Sequence, residues 1–169
     1  MSEFKNSDWI VHLNYGVGQI QSIEKRTISG EETRYFKIKT HDGLFVWVPV
    51  SDEDEGILRA LTPASELDDI LAVFNNDPNE LPSKSYGRQS RIKQARTSHL
   101  LIERARLVRD LWAHRRKQRL GLKERKALKW ATDHLVAEWA LMLDKRPQEV
   151  QQRLERMLQK HAPSANAAS

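Results

Sequence analysis

Histidines in catalytic or metal-binding motifs and glycines in nucleotide-binding loops are the first patterns to look for, and this chain has neither. The six histidines are scattered, and none belongs to a His-Glu-x-x-His pair or a Ser/His/Asp arrangement. Gly16 and Gly18 flank Val17, but the third glycine and following helix of a dinucleotide-binding loop are missing. The chain also has no cysteine and hence no disulfide or thiolate ligand. We therefore expect no catalytic activity, metal site, cofactor or small-molecule substrate.

Positive charge is the strongest chemical signal, and it is concentrated in one half of the chain. Residues 1–82 carry 7 Lys and Arg against 15 Asp and Glu, whereas residues 83–169 carry 21 against 8. The halves thus have net charges of −8 and +13 within the total of +5. The basic half is expected to attract phosphate and to lose affinity as salt rises. The alternative is that these side chains only solvate helix faces, and the uneven split disfavours it.

Two groups of basic side chains are candidates for contacts with DNA phosphates. One group flanks the start of the basic half, and the other brackets a turn at Gly121. Such contacts fix the position of the DNA and carry little sequence information. The candidates are Arg88, Arg91, Lys93, Arg115, Arg116, Arg119, Arg125 and Lys129.

The elements that position these residues differ between the two halves. Short apolar runs separated by turns at Gly16 to Gly18, at Gly30 and at Asp42-Gly43 predict four or five strands in about the first 50 residues, a small half-open β-barrel. Glycine at the first turn suits a positive φ or a close backbone approach. Helical periodicity predicts helices near residues 88–97, 99–119, 123–143 and 147–160, with Trp112 and Trp139 on apolar stripes that are expected to form the core.

Phe45 and Trp47 are the candidate partner-binding residues of the barrel. They alternate with Leu44, Val46 and Val48, so the aromatic pair and the aliphatic residues lie on opposite faces of a strand. Two interpretations remain open. The aromatic pair fills the barrel core, or it forms a protein interface on an edge strand that accepts a strand from another protein.

The domain boundary is expected in a polar segment broken by prolines, residues 75–85. Before it, Thr62 as N-cap and Pro63 at the first helical position predict a short helix that packs on the barrel mouth. The expected domains are residues 1–74 and 86–161, followed by a disordered small-residue tail at 162–169. The chain lacks a signal-peptide pattern and an apolar run long enough to span a membrane, so we expect a soluble cytoplasmic protein.

Several short motifs occur in a fixed order along both halves. They are Tyr15-Gly16-Val17-Gly18-Gln19-Ile20, Val46-Trp47-Val48-Pro49, Gly56-Ile57-Leu58-Arg59, Leu107-Val108-Arg109-Asp110-Leu111-Trp112 and Glu124-Arg125-Lys126. This series, over roughly residues 3–143, resembles the CarD/CdnL family of bacterial transcription regulators, whose first domain is shared with transcription-repair coupling factor. The expected fold class is α+β, with an N-terminal Tudor-like or SH3-like β-barrel followed by a C-terminal all-α domain.

The resemblance implies that the barrel binds the β subunit of RNA polymerase. Arg26 matches a position that is commonly a basic contact in the family, whereas Trp47 stands where many members carry a second arginine. The implied polymerase-binding residues are Glu24, Lys25, Arg26, Thr27, Phe45 and Trp47.

The resemblance also implies an aromatic wedge at the start of the helical domain. Family members place an exposed tryptophan there against the upstream edge of the opened promoter. Alignment on Leu111-Trp112 puts Ser85 at that position, and Tyr86, the neighbouring aromatic residue, is the candidate to replace the tryptophan as a DNA contact.

The function expected from the residues and the resemblance is transcription regulation. The barrel would bind polymerase, and the helical half would bind promoter DNA and modulate open-complex stability. Two alternatives remain: a polymerase-bound adaptor whose helical half recruits another protein, and a nucleic-acid binder without polymerase contact. The chain lacks a sustained heptad repeat, and we expect a monomer associated with the nucleoid through polymerase.

Overall fold

The computed structural model describes residues 3–160 and divides the chain into two compact units, with the division between Leu61 and Thr62. The expected tail at residues 162–169 lies outside the described range. The first unit is an antiparallel sheet and the second is helical, which confirms the α+β class.

Five antiparallel strands form the part of the first unit that the structure describes, residues 3–61. They are β1 (Trp9–His12), β2 (Gly16–Ile28), β3 (Glu31–Thr40), β4 (Phe45–Pro49) and β5 (Leu58–Ala60). Their order across the sheet is β4-β3-β2-β1-β5, so the described part of the sheet is not closed and has β4 and β5 at its edges. This is the half-open arrangement that the turn spacing predicted.

The core of the first unit lies on one face of this sheet. Ile38 and Phe36 of β3 are fully buried, and they lie opposite Val46 and Val48 of β4. A bulge at Gln21 shifts the pairing of β2 with β3 and changes which β2 residues face inward. Because side chains alternate along a strand, the residues of β3 and β4 between these core positions lie on the outer face of the sheet.

The two glycines of the first turn have different roles. Gly16 has φ of 77°, in the left-handed region that favours glycine. At Gly18 a Cβ atom would lie 2.6 Å from Cγ2 of Ile38 and 3.0 Å from the carbonyl oxygen of Lys39. Gly18 therefore allows β2 to approach β3 closely, and both roles expected for this turn are present.

Five α-helices lie in the second unit within its described residues, 62–160. They are α1 (Leu67–Ala72), α2 (Ser85–Thr97), α3 (Leu101–Lys117), α4 (Leu122–Met142) and α5 (Pro147–Gln159). Leu111 of α3, Leu135 and Trp139 of α4 and Leu154 of α5 are fully buried in one shared core. Within residues 3–160, none of the helices has the length and apolar character needed to cross a membrane.

The short helix expected to close the barrel belongs to the helical unit instead. Leu67, Ile70 and Phe74 are part of the same core as α3, α4 and α5. Thr62, expected as an N-cap, donates its backbone N–H and its Oγ1 hydroxyl to Oε1 of Glu138 in α4, at 2.9 and 2.8 Å. The apolar stripe of this helix did not identify its packing partner, because a stripe does not specify the surface it covers.

This division changes the charge of each unit. Residues 62–82 bring five Asp and Glu and no Lys or Arg into the helical unit. Residues 1–61 then have 7 Lys and Arg against 10 Asp and Glu, and residues 62–169 have 21 against 13. The net charges become −3 and +8. The helical unit therefore remains basic, but the difference in charge between the two units is smaller than the difference between residues 1–82 and 83–169.

Candidate functional site

Phe45 and Trp47 lie on the outer face of the sheet. The two residues are 50% and 39% exposed, whereas the alternate residues Val46 and Val48 pack with the core. Of the two interpretations left open by the sequence, the core placement is wrong. The outward placement leaves an aromatic pair at the surface of the edge strand β4.

Trp47 is connected to two of the other predicted polymerase-binding residues. Its indole Nε1 donates a hydrogen bond of 3.0 Å to Oε2 of Glu24. The same oxygen lies 3.4 Å from Nη2 of Arg26, whose Cζ lies 4.6 Å from the centre of the Trp47 ring. The hydrogen bond from Trp47, followed by those from Ser22 and Arg26, holds the pKa of Glu24 below its ordinary value. Glu24, Arg26 and Trp47 therefore form one connected cluster.

Two lysines that the sequence analysis did not identify complete this surface. Nζ of Lys37 lies 5.2 Å from the Phe45 ring centre and 5.6 Å from the Trp47 ring centre. Lys39 lies opposite Phe45 in the sheet, with its Nζ 5.9 Å from that ring. Their alternation with the buried Phe36 and Ile38 was the available signal, since it turns both lysines outward. We call Glu24, Arg26, Lys37, Lys39, Phe45 and Trp47 the aromatic face.

Lys25 and Thr27 are not brought to the aromatic face. Both alternate with Glu24 and Arg26 along β2, so their side chains leave the opposite face of the strand. Lys25 forms an exposed ion pair of 3.1 Å with Glu32. A single flat partner surface that contacts Arg26 would therefore not contact Lys25.

The predicted arginines around Gly121 do converge. They line one open concavity of about 600 Å³ between the end of α3 and the start of α4. Among the described residues, no Asp or Glu forms an ion pair with Arg115, Arg116 or Arg119. We call this set the basic corner: Arg115, Arg116, Lys117, Arg119 and Arg125.

Trp112 supports two of these arginines. The Cζ atoms of Arg115 and Arg116 lie 4.9 and 4.0 Å from the centre of the Trp112 ring. The sequence predicted Trp112 to be a core residue, but it is only partly buried and its ring packs against the core from outside. Cation–π contacts at this range favour holding both guanidinium groups on the indole surface. Trp139, the other tryptophan predicted in the core, is fully buried.

Lys93 and Lys129 are exposed residues outside the basic corner. Lys129 lies one helical turn from Arg125 along α4, and with Arg115 and Arg125 it borders a neighbouring groove. Its Nζ lies 2.8 Å from Oδ2 of Asp133, and the hydrogen bond from Nζ to this carboxylate raises the pKa of Lys129. Asp133 therefore offsets part of the charge that Lys129 would offer to a phosphate.

Arg88 and Arg91 turn inward, contrary to the surface position expected of DNA contacts. Arg88 forms an ion pair with the buried Glu124, and its side chain is 13% exposed. Nη2 of Arg91 lies 3.7 Å from Oδ2 of Asp110, which is fully buried. Both face the interior because each has a carboxylate partner on a helix that packs against α2, and the spacing of basic residues along α2 did not reveal this.

Tyr86 is a strongly exposed aromatic residue of the helical unit. The residue is 74% exposed in the first turn of α2, which begins at Ser85. Nζ of Lys84 lies 6.0 Å from the centre of its ring. An exposed ring next to a cation has the chemistry needed to stack on an unpaired base near a phosphate.

Comparisons with known proteins agree with the division into two units. Residues 4–62 match the family model of the CarD-like/TRCF RID domain, and residues 69–155 match the model of the CarD C-terminal domain. The chain is also similar to the putative transcription factor YdeB of Bacillus subtilis strain 168. The two are 28% identical over 138 residues, which cover 80% of this chain and 89% of YdeB.

Proposed function

The chain belongs to the CarD family of transcription factors, and from this premise we propose that it binds the β subunit of RNA polymerase through its sheet and promoter DNA through its helices. The observation that carries the proposal is the separation of two exposed surfaces on the two matched domains. The aromatic face lies on the first unit, and the basic corner lies on the second.

The composition of the aromatic face supports a protein partner. Aromatic residues and arginine are enriched at protein interfaces, and they contribute a large share of the binding energy. Arg26, Lys37 and Lys39 also give this face a positive character within a unit of net negative charge. A partner with carboxylates beside apolar groups fits it best, and we propose that the β subunit supplies such a surface.

The basic corner supports contact with DNA phosphates. Its arginines are exposed and lie together at one turn. Among the described residues, no carboxylate forms an ion pair with Arg115, Arg116 or Arg119. Guanidinium groups bind phosphate in a bidentate manner and release counterions, which gives affinity with little sequence preference. We include Tyr86 as an aromatic contact at the fork and leave out the inward-facing Arg88 and Arg91.

These contacts would regulate transcription through a difference in affinity between two promoter states. A factor that binds the open complex more tightly than the closed complex shifts the equilibrium towards opening, whereas equal affinity shifts nothing. A preference of about 1.4 kcal/mol changes the ratio of the two states about tenfold. The protein would then reside in the cytoplasm, associated with the nucleoid through polymerase.

The proposal is tested with the full chain, purified polymerase and a promoter fragment. We expect the protein to bind polymerase without DNA and to change the lifetime of the open complex. An unchanged lifetime would contradict the open-complex role. Binding of forked DNA at two salt concentrations separates DNA contact from recruitment of an acidic protein, because only phosphate contacts give a steep salt dependence with DNA.

A further inference from the structure

One buried ion pair connects the start of α2 with the start of α4. Nε of Arg88 donates to Oε1 of Glu124, and the second carboxylate oxygen of Glu124 accepts the backbone N–H of Gly121 at 2.6 Å. Nη1 of Arg88 donates to the carbonyl oxygens of Pro82 and Ser83, at 3.1 and 2.6 Å. The stretch from Pro82 to Arg88 and the start of α4, which are distant in sequence, are thus joined through one guanidinium and one carboxylate.

Tyr86 lies inside one of these segments. A Cβ atom at the next residue, Gly87, would lie 2.6 Å from Cβ of Pro82, so the first turn of α2 packs directly against the chain that leads into it. Arg88, one residue further on, is bonded to the same stretch. The backbone of Tyr86 is therefore held by its neighbours while its ring extends into solvent, which lowers the entropic cost of stacking on a base.

The other end of the ion pair lies at the basic corner. Gly121, bonded to Glu124, ends the turn that carries Arg119, and Arg125 directly follows Glu124 in α4. Glu124 thus holds the backbone of this turn through its hydrogen bond with Gly121. The pair consequently links the exposed aromatic residue to the arginine cluster.

Stability alone does not account for the placement of this pair. Burying two charges costs desolvation free energy that their attraction does not always offset, whereas such pairs in some proteins specify one geometry. We propose that Arg88 and Glu124 are positioning residues that fix Tyr86 relative to the basic corner, so that both contact the same forked DNA. This inference rests on the proposed DNA contact of the helical unit.

The substitution Arg88→Lys separates positioning from direct phosphate contact. Lysine keeps the positive charge but cannot reproduce the fork of bonds to Glu124 and to the carbonyls of Pro82 and Ser83. A direct phosphate contact would leave DNA affinity nearly unchanged. Positioning instead predicts that the preference for forked over fully paired DNA falls to the level of Tyr86→Ala, a loss of about tenfold for one stacked base.

The binding experiment uses the full chain with forked DNA and fully paired DNA of the same sequence. The double variant Arg88→Lys/Tyr86→Ala should show no further loss beyond either single variant, because both changes act on the same stacking contact. Arg146→Lys is the matched control, since Arg146 forms an exposed ion pair with Glu149 three residues away. Additive losses, or a folded Arg88→Lys protein with the wild-type preference, would overturn the proposal.

Hydrogen exchange of the free protein tests positioning without DNA. In Arg88→Lys, exchange should accelerate at the amides of residues 84–91 and 120–125, with α5 unchanged. Unchanged exchange there overturns the proposal. If wild-type protein has no fork preference, the proposed DNA contact is wrong, while local acceleration still supports the positioning role of the pair. Should Arg88→Lys not fold, Glu124→Gln is used with the same expectations.

Discussion

Arg26 and Trp47 stack on each other although they belong to strands that are not neighbours. The Cζ atom of Arg26 in β2 lies 4.6 Å from the ring centre of Trp47 in β4, and the whole of β3 separates the two strands. Glu24 connects them, because its Oε2 accepts the indole N–H and lies near the guanidinium. A partner thus meets a charge and a ring already held in one arrangement, which reduces the ordering cost of binding.

Arg26→Glu should weaken binding to polymerase by at least about tenfold, because it places a carboxylate beside Glu24 and removes the cation from the ring. The measurement is the Kd of the full-length variant for purified polymerase. Arg34→Glu makes the same charge change on the opposite face of β3 and should bind like wild type. Equal losses of affinity in the two variants would show that net charge, and not the aromatic face, determines polymerase binding.

Replacing both Arg115 and Arg116 by Ala should weaken DNA binding and lower its salt dependence. If each arginine neutralises one phosphate, the slope of log affinity against log salt decreases by roughly 1.8. The matched control is Lys145→Ala/Arg146→Ala, which removes the same charge at the turn between α4 and α5. A similar change of slope in both double variants would contradict a specific role for the basic corner.

Trp112→Leu should reduce DNA affinity without removing any charge. Leucine preserves an apolar contact with the core but offers no π surface to Arg115 and Arg116, so the guanidinium groups lose their common support. We expect a loss of about threefold to tenfold at low salt, measured by fluorescence anisotropy with labelled DNA. Wild-type affinity in a folded variant would exclude this supporting role.

Glu124 should make unfolding stability depend on pH. Burial by itself would raise its pKa, but the hydrogen bonds from Arg88 and Gly121 and the nearby positive charge outweigh burial and hold the pKa below the ordinary value of 4.5. Because the folded pKa is the lower one, its stabilisation is present above about pH 4.5 and is lost as pH falls through the folded pKa.

The test compares wild type with Glu124→Gln in denaturant unfolding. The difference in the free energy of unfolding should be roughly 3 kcal/mol near pH 7 and should shrink progressively below pH 4.5. Only this difference is informative, since the other carboxylates titrate in both proteins. A difference that stays constant between pH 7 and pH 3 would contradict the ionised pair.

Gly18→Ala should destabilise the first unit. The added methyl would lie 2.6 Å from Cγ2 of Ile38 and 3.0 Å from a backbone oxygen, contacts that force the two strands apart. Overpacking of this kind costs about 1–3 kcal/mol, read as a shift of the unfolding midpoint. Gly121→Ala, whose Cβ would come no closer than 3.4 Å to its neighbour, should cost less than about 1 kcal/mol.

The sequence determined the features of this protein that depend on local pattern. Alternation assigned Phe45 and Trp47 to one face of β4, and helical periodicity identified α2 to α5 with ends within about three residues of those observed. The roles of Gly16 and Gly18 could also be predicted, because a positive φ and a close backbone approach are each requirements of a single residue. These features need only the spacing of residues along the chain.

Tertiary structure decided which face is covered and which charges are paired. The sequence of α2 predicted a surface helix, with Arg88 and Arg91 exposed. Their partners Glu124 and Asp110 are distant in sequence and come close to them only because the helices pack together. Packing also determined that Phe45 faces outward and that α1 is buried in the helical core. Burial and ion pairing depend on what packs against a side chain, and the order of residues in one segment does not contain that information.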